Sequence, residues 1–446
     1  MKTPFWPSLA ALLLVSGLGA QDLRAWYPEG PAASFGFPEN DEVRRQLQEL
    51  IFAPVGSQAR MLPPAGRILS QRAAVHKVMV RLERQQGFVY TLFLNERPPA
   101  GGGTLQPGDR FPVAGAGAYI IKRDMKDGRY VQAKIYLRDD PGCFVRLFPD
   151  GGRTMLEGFL FGVPVARRVN VPLAFESALV EPFARIMQLT RATVRWDRFF
   201  AAGESESDQR ARKVSHEVRA HLGRLGDRED GALDAAGRFV FIDSGLPQDG
   251  PGGLNCSGFA KWVTDGFVYP LTGAYLDIEP LKEKPLALRG HSWSRRFEDQ
   301  RDPYFGLDWS RNLAVSLLQA AGYPVAGPES SDVRIREYAR YTEDVGYPVE
   351  ELELVLYLDS MRTPGGFYLG SLNREYGSAP VLRQHFHLIV LLPYFSETGR
   401  FEVAVFDRGR ETSLEEVRRR FAGDFIHLVR LPVTGSFQPP APAAGQ

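Results

Sequence analysis

The sequence predicts an α+β protein whose first half is β-rich and whose second half combines helices with strands. Three observations carry this reading. Between about Ala73 and Phe175, short runs rich in β-branched and aromatic residues recur between turn signals. Between Glu204 and Arg228 the composition becomes strongly charged, with apolar residues at four-residue spacing. After Gly237, helix-period segments come first and strand-like runs follow, an order that argues against alternating βαβ units.

The 446-residue chain is long enough for a sizeable core and for two or three domains, and 44% apolar with 24% charged residues is ordinary globular composition. Lys plus Arg (54) nearly cancels Asp plus Glu (53), so no overall field favours nucleic acid or an anionic membrane surface. Residues 1–20 combine Lys2, an apolar run from Leu9 to Val15 and small residues ending at Ala20, the layout of a secretory signal. They predict a mature protein that is exported, periplasmic or extracellular. Elsewhere no apolar stretch approaches the roughly 20 residues that span a bilayer; the longest, Leu388 to Leu392, is strand-sized and ends at Pro393.

In chain order, residues 21–200 form the predicted β-rich domain, whose sequence identifies no ligand. Its lead-in holds one amphipathic segment, Asp41 to Phe52, with Val43, Leu47, Leu50 and Ile51 on one face. The runs Val75–Leu82, Phe88–Leu94, Tyr119–Lys122, Tyr130–Leu137, Cys143–Phe148 and Met155–Phe161 predict a small β sandwich or barrel, with turns at Pro98–Gly103 and Gly151-Gly152. Residues 201–236 predict a charged helical connector carrying Val214, Val218 and Leu222. Residues 237–436 predict a strand at Arg238–Ile242, a glycine-rich loop at Gly245–Gly253, and helices at Asn255–Phe267, Trp309–Ala321 and Val349–Met361. Strands follow at Phe367–Leu372, His385–Leu392 and Arg400–Phe406, then a helix at Leu414–Phe421 and a strand at Phe425–Leu431. The Pro- and Ala-rich tail 437–446 predicts disorder.

Only Cys143 and Cys256 are present, too few for a disulfide scaffold, though a mutual disulfide is the plain alternative to two free thiols. Cys143 opens a strand-like stretch and reads as structural. Cys256 stands in Gly252-Gly253-Leu254-Asn255-Cys256-Ser257-Gly258-Phe259, where Asn255 is a good N-cap and the cysteine falls in the first helical turn. A thiol attacks only as thiolate, and the helix dipole favours that form. Phe259, Val263 and Phe267, with Trp262, supply an apolar face to hold the helix on a sheet. Unpaired N–H groups of the first turn, including that of Cys256, are suited to an oxyanion.

Asn255-Cys-Ser-Gly-Phe259 resembles the Asp-Cys-Ser-Gly-Phe signature of NlpC-type cell-wall peptidases of the papain-like superfamily. Thr363-Pro-Gly-Gly366-Phe-Tyr-Leu369 is similar to their Pro-Gly-Asp strand opening, ahead of a histidine-led strand. The resemblance covers residues 238–432 at most. It implies a papain-like domain, thiol-dependent amide hydrolysis without cofactor or metal, and peptidoglycan stem peptides as the substrate class. The chain departs from the family pattern in three places. His387 lies 131 residues after Cys256, implying an inserted helical segment over Tyr269 to Val349; Asn255 replaces the family aspartate; and Phe241, Asp243 and Ser244 stand where relatives carry an oxyanion tyrosine.

A Cys/His mechanism needs an imidazole beside the sulfur and a polar group to hold its tautomer. His385 and His387 are two apart on one predicted strand and so are expected on the same face. His387, which directly precedes the apolar run, is the favoured base and His385 its competitor. Asp407, at the end of the strand after the Ser396–Gly399 hairpin, is the favoured orienting group. Two other readings compete: an envelope binding or structural protein that keeps the fold without chemistry, and a mononuclear metal site from His385, His387 and Asp407. Trp293 and Trp309 read as core residues rather than sugar platforms.

Overall fold

A meander of eight strands forms the first sheet of the computed structural model, which describes residues 37–97, 107–200, 203–284, 303–377, 381–397, 399–433 and 435–441. The signal-like segment, the Pro98–Gly103 turn, Trp293 and residues 442–446 lie outside the described residues. β1 (Arg67–Leu69), β2 (Val78–Gln85), β3 (Phe88–Asn95), β4 (Tyr119–Asp124), β5 (Tyr130–Tyr136), β6 (Phe144–Asp150), β7 (Arg153–Leu160) and β8 (Val163–Val171) pair antiparallel in chain order. The expected sandwich or barrel is therefore a single open sheet. Buried residues alternate with half-buried ones along β4, β6 and β7, so one face is the more deeply buried. Helices cover that face in place of a second sheet: Asp41–Gln46, Gln48–Phe52, Phe175–Val180 and Phe183–Thr190. The amphipathic segment 41–52 is two helices, broken at Leu47.

The second sheet has the order β13-β18-β14-β15-β16-β17, all antiparallel: β13 (Tyr347–Pro348), β14 (Gly366–Tyr376), β15 (Leu382–Phe395), β16 (Phe401–Asp407), β17 (Arg410–Thr412) and β18 (Phe425–Pro432). Mixed α and β structure with large antiparallel sheets is thus the observed class. Phe367, Leu369, Leu388, Val390, Leu392 and Leu431 share a core with the helices Glu206–His221, Cys256–Thr272 and Phe305–Ala320. Tyr368, Leu372, Ile389, Leu391, Val405 and Leu428 belong to the other core, with the helices Leu352–Arg362 and Leu414–Arg420. That core runs on into the first sheet: the Phe161 ring meets Tyr357 at 5.2 Å and Phe401 at 5.8 Å.

Two parts of the chain are more integrated than their composition implies. The charged helix, Glu206–His221, starts with a capping box in which Ser205 accepts from the Asp208 N–H. It buries Ala211, Val214 and Val218, and Asp208 accepts the backbone N–H of Phe395 at 3.0 Å, tying the helix to the end of β15. The expected disordered tail is ordered through residue 441. Phe437 sits 5.0 Å from the Phe267 ring, Gln438 N–H donates to Gly266 O, and Trp262 Nε1 donates to Pro440 O at 3.0 Å. An apolar ring, one backbone N–H and one backbone carbonyl find partners on the Cys256 helix, which outweighs the chain entropy that composition alone registers. Among the described residues no helix is long and apolar enough to cross a membrane.

Candidate active site

Leu254 leads directly into the Cys256–Thr272 helix. Asn255 is its N-cap, with extended backbone and a side-chain oxygen that accepts the Gly258 N–H at 2.8 Å. The approach is set by a two-residue parallel pair, β9 (Gly226–Asp227) with β12 (Gly253–Leu254), and by an antiparallel pair, β10 (Gly231–Leu233) with β11 (Phe239–Phe241). Buried Gln248 fastens the glycine-rich loop: its Nε2 donates to Val240 O and Gly253 O, and its Oε1 accepts the Gly253 N–H at 3.0 Å.

Gly258 explains the glycine after Cys256-Ser257. A Cβ there would lie 2.0 Å from Gly231 O, so the first turn of the helix rests directly on the β10 backbone. Gly258→Ala is expected to destabilise the protein by about 2 kcal/mol or more, because backbone atoms rather than a flexible side chain must move. A lowered denaturant midpoint checks this.

Three of the four expected residues bear on one site and the fourth does not. His387 Nε2 lies 2.7 Å from Asp407 Oδ1. An ionised carboxylate only accepts, so Nε2 carries the proton and donates, leaving Nδ1 as the ring nitrogen open to Cys256, whose thiol acts on His387 electrostatically. Arg420 Nη1 donates to the other Asp407 oxygen at 2.8 Å, and the Phe421 ring lies 5.9 Å from the imidazole. The β15–β16 ladder ends at Val390↔Phe406, and the backbone N–H of Leu388, before that point, helps to lower the Cys256 thiol.

His385 faces elsewhere, which corrects the expectation that the two histidines share a side. The β14–β15 register shifts between Leu372, opposite His387, and Asn373, opposite His385, leaving Phe386 as an extra residue. A bulge of one residue inverts the alternation of sides. His385 lies within reach of Ser371 Oγ (Nδ1, 2.9 Å), and its Nε2 donates to Asp344 O at 2.9 Å. With both ring nitrogens engaged it is a buried structural histidine. His385, His387 and Asp407 consequently do not converge as ligands of one metal ion, and Asp407 Oδ1 accepts the His387 N–H.

The electrostatics fit a charge-separated pair. Burial raises the Cys256 thiol, but the hydrogen bond and charge of His387, the Leu388 N–H and the charge of Arg408 outweigh it and hold the thiol below its ordinary value. Burial lowers His387, yet the bonds to Asp407 and Cys256 prevail and push it up to about 9. Asp407 is raised by burial but held below the usual carboxylate range by His387, Arg420 and Arg408. Cys143, by contrast, is buried in the first core with its thiol pushed up to about 12 by burial, and both cysteines are free, so the alternative of a mutual disulfide falls.

Sequence reasoning missed Gln248, Arg408 and Arg420. Gln248 had no motif to mark it, and Arg420 reads as one of three basic residues closing the Leu414–Arg420 helix. Of the side chains weighed as oxyanion donors, Ser244 accepts the Leu246 N–H in its own turn, and the Asp243 N–H donates to Asp230. Trp309 is fully buried, its Nε1 donating to Ser257 O at 3.0 Å, so the segment between Cys256 and His387 packs directly on the Cys256 helix.

A family model described as a domain of unknown function (DUF8515) matches residues 33–198. No curated protein and no solved structure matches the chain. The family match thus spans the β-rich first half and stops short of Cys256.

Proposed function

We propose that the protein is an exported cysteine hydrolase of amide bonds with a papain-like second half, acting on peptidoglycan stem peptides. The observation that carries the hydrolase reading is the chain of contacts from Cys256 through His387 to Asp407 at a helix N-terminus, with the thiol held low and the imidazole held high. The substrate class and the papain-like assignment are supported by the resemblance of Asn255-Cys-Ser-Gly-Phe259, and export by the signal-like layout of residues 1–20.

In this reading the Cys256 thiolate attacks the carbonyl carbon, and the oxyanion meets the Cys256 N–H. As the C–N bond breaks, His387 Nδ1–H delivers its proton to the leaving amine, giving a thioester and a neutral imidazole. That imidazole takes a proton from water, the hydroxyl adds to the thioester, and release of the carboxylic acid regenerates thiolate and imidazolium. Asp407 keeps the ring in the orientation that points Nδ1 at sulfur.

The pH profile of peptide release from purified cell-wall material tests this. Release rises on the acid side as Cys256 ionises, below the ordinary thiol value of about 8.5, and declines near pH 9 as His387 loses the proton that the leaving amine requires. Absence of release at every pH, together with a thiol that titrates at its ordinary value, overturns the proposal.

A further inference from the structure

We propose that Arg408 is a specificity residue that binds a carboxylate of the substrate beside Cys256, making acidic peptides the preferred substrates. The inference rests on Cys256 being the nucleophile.

Arg408 and Gly409 are the two-residue loop between β16 and β17, bracketed by the pair Asp407↔Arg410. Both have positive φ, 49° at Arg408 and 71° at Gly409, the mark of a tight hairpin turn in which asparagine is favoured at the first position and an arginine is strained. Gly409 faces Leu225 and Phe259, so the turn is pressed against the first turns of the Cys256 helix. The Arg408 guanidinium lies 4.0 Å from Asp227 and 3.9 Å from Glu229, both beyond hydrogen-bond length. Asp227 is the register partner of Leu254, two residues before the nucleophile. The guanidinium is therefore held over the strand pair that delivers Cys256, partly exposed, by two loose carboxylate contacts that a closer, bidentate carboxylate would replace. The neighbouring cations are differently engaged: Arg420 donates to Asp407 at 2.8 Å, and Arg228 lies over the Phe241 ring. Arg408 also contributes to the stabilisation of the Cys256 thiolate through its charge.

Alkylation of the thiol by iodoacetate and by iodoacetamide, reagents that differ in a carboxylate, reads the cation without any assumption about substrate. Arg408→Asn removes the charge and places the favoured residue in the turn, so the variant is expected to fold with an unchanged or higher thermal midpoint. The iodoacetate-to-iodoacetamide rate ratio is expected to fall roughly three- to tenfold in Arg408→Asn and to be largely retained in Arg408→Lys. A ratio that Arg408→Asn leaves unchanged overturns the role of Arg408. Slow reaction with both reagents, but with the ratio still dependent on Arg408, overturns the hydrolase reading instead and leaves the anion site standing.

Discussion

Cys256→Ala is expected to lower amide hydrolysis by roughly 10⁴- to 10⁶-fold and to abolish labelling by thiol reagents at neutral pH, while the fold persists. The separation of effects follows from the site. Asn255, not Cys256, caps the helix through the Gly258 N–H, and the buried face is supplied by Phe259, Val263 and Phe267. The groups that lower the thiol are His387, the Leu388 N–H and Arg408. Removing it leaves His387 bonded to Asp407 but without the neighbouring thiolate that helps hold its proton, so its titration should move down from about 9. Cys143, whose thiol burial pushes up to about 12, serves as the internal control: it should remain unlabelled in the folded protein. Retention of activity in Cys256→Ala would mean that the chemistry lies elsewhere.

The second large effect is an asymmetry between two neighbouring histidines. His387→Gln is expected to cost roughly 10²- to 10⁴-fold in turnover and to return the Cys256 thiol toward its ordinary value, because the hydrogen bond and positive charge that offset its burial are gone. His385→Gln should leave the alkylation pH profile unchanged and cost about 1–3 kcal/mol of stability through lost buried hydrogen bonds to Ser371 and Asp344. A pH-dependent stability accompanies His387. The folded His387 value of about 9 lies above the unfolded value of about 6.5, so its stabilisation is complete below about pH 6.5 and lost as pH rises through about 9. Denaturant midpoints across that range, compared between the two variants, measure it. Equal effects of the two substitutions on the thiol would contradict the geometry.

Most helices and strands of the second half were legible, since Phe259, Val263 and Phe267 repeat at helical spacing and Phe401 to Phe406 reads as a strand. So was the first half's β content, though its layering was not. Alternation along β4 and β7 shows that one face is buried without revealing whether helices or strands cover it, because burial is indifferent to the secondary structure of the covering atoms. Tail order was illegible for a related reason. Phe437 is one ring in a Pro- and Ala-rich stretch, and its receiving surface is made by Trp262 and Phe267, over 160 residues earlier.

At the site, local chemistry and long-range geometry divide cleanly. The sequence by itself determined that Cys256 opens a helix behind an asparagine cap, since capping and glycine approach act within a few residues. It also determined that a histidine pair and Asp407 stand on successive strands. Which histidine meets the sulfur was decided only by tertiary structure: one extra residue at Phe386 inverts the side on which each ring emerges, and such a bulge depends on the pairing partner, Leu372 and Asn373 of β14. The Arg420 contact with Asp407 and the position of Arg408 over Asp227 and Glu229 are likewise products of assembly. They join groups with no local relation in sequence, and only the packing of the hairpin on the Cys256 helix brings their charges to one place.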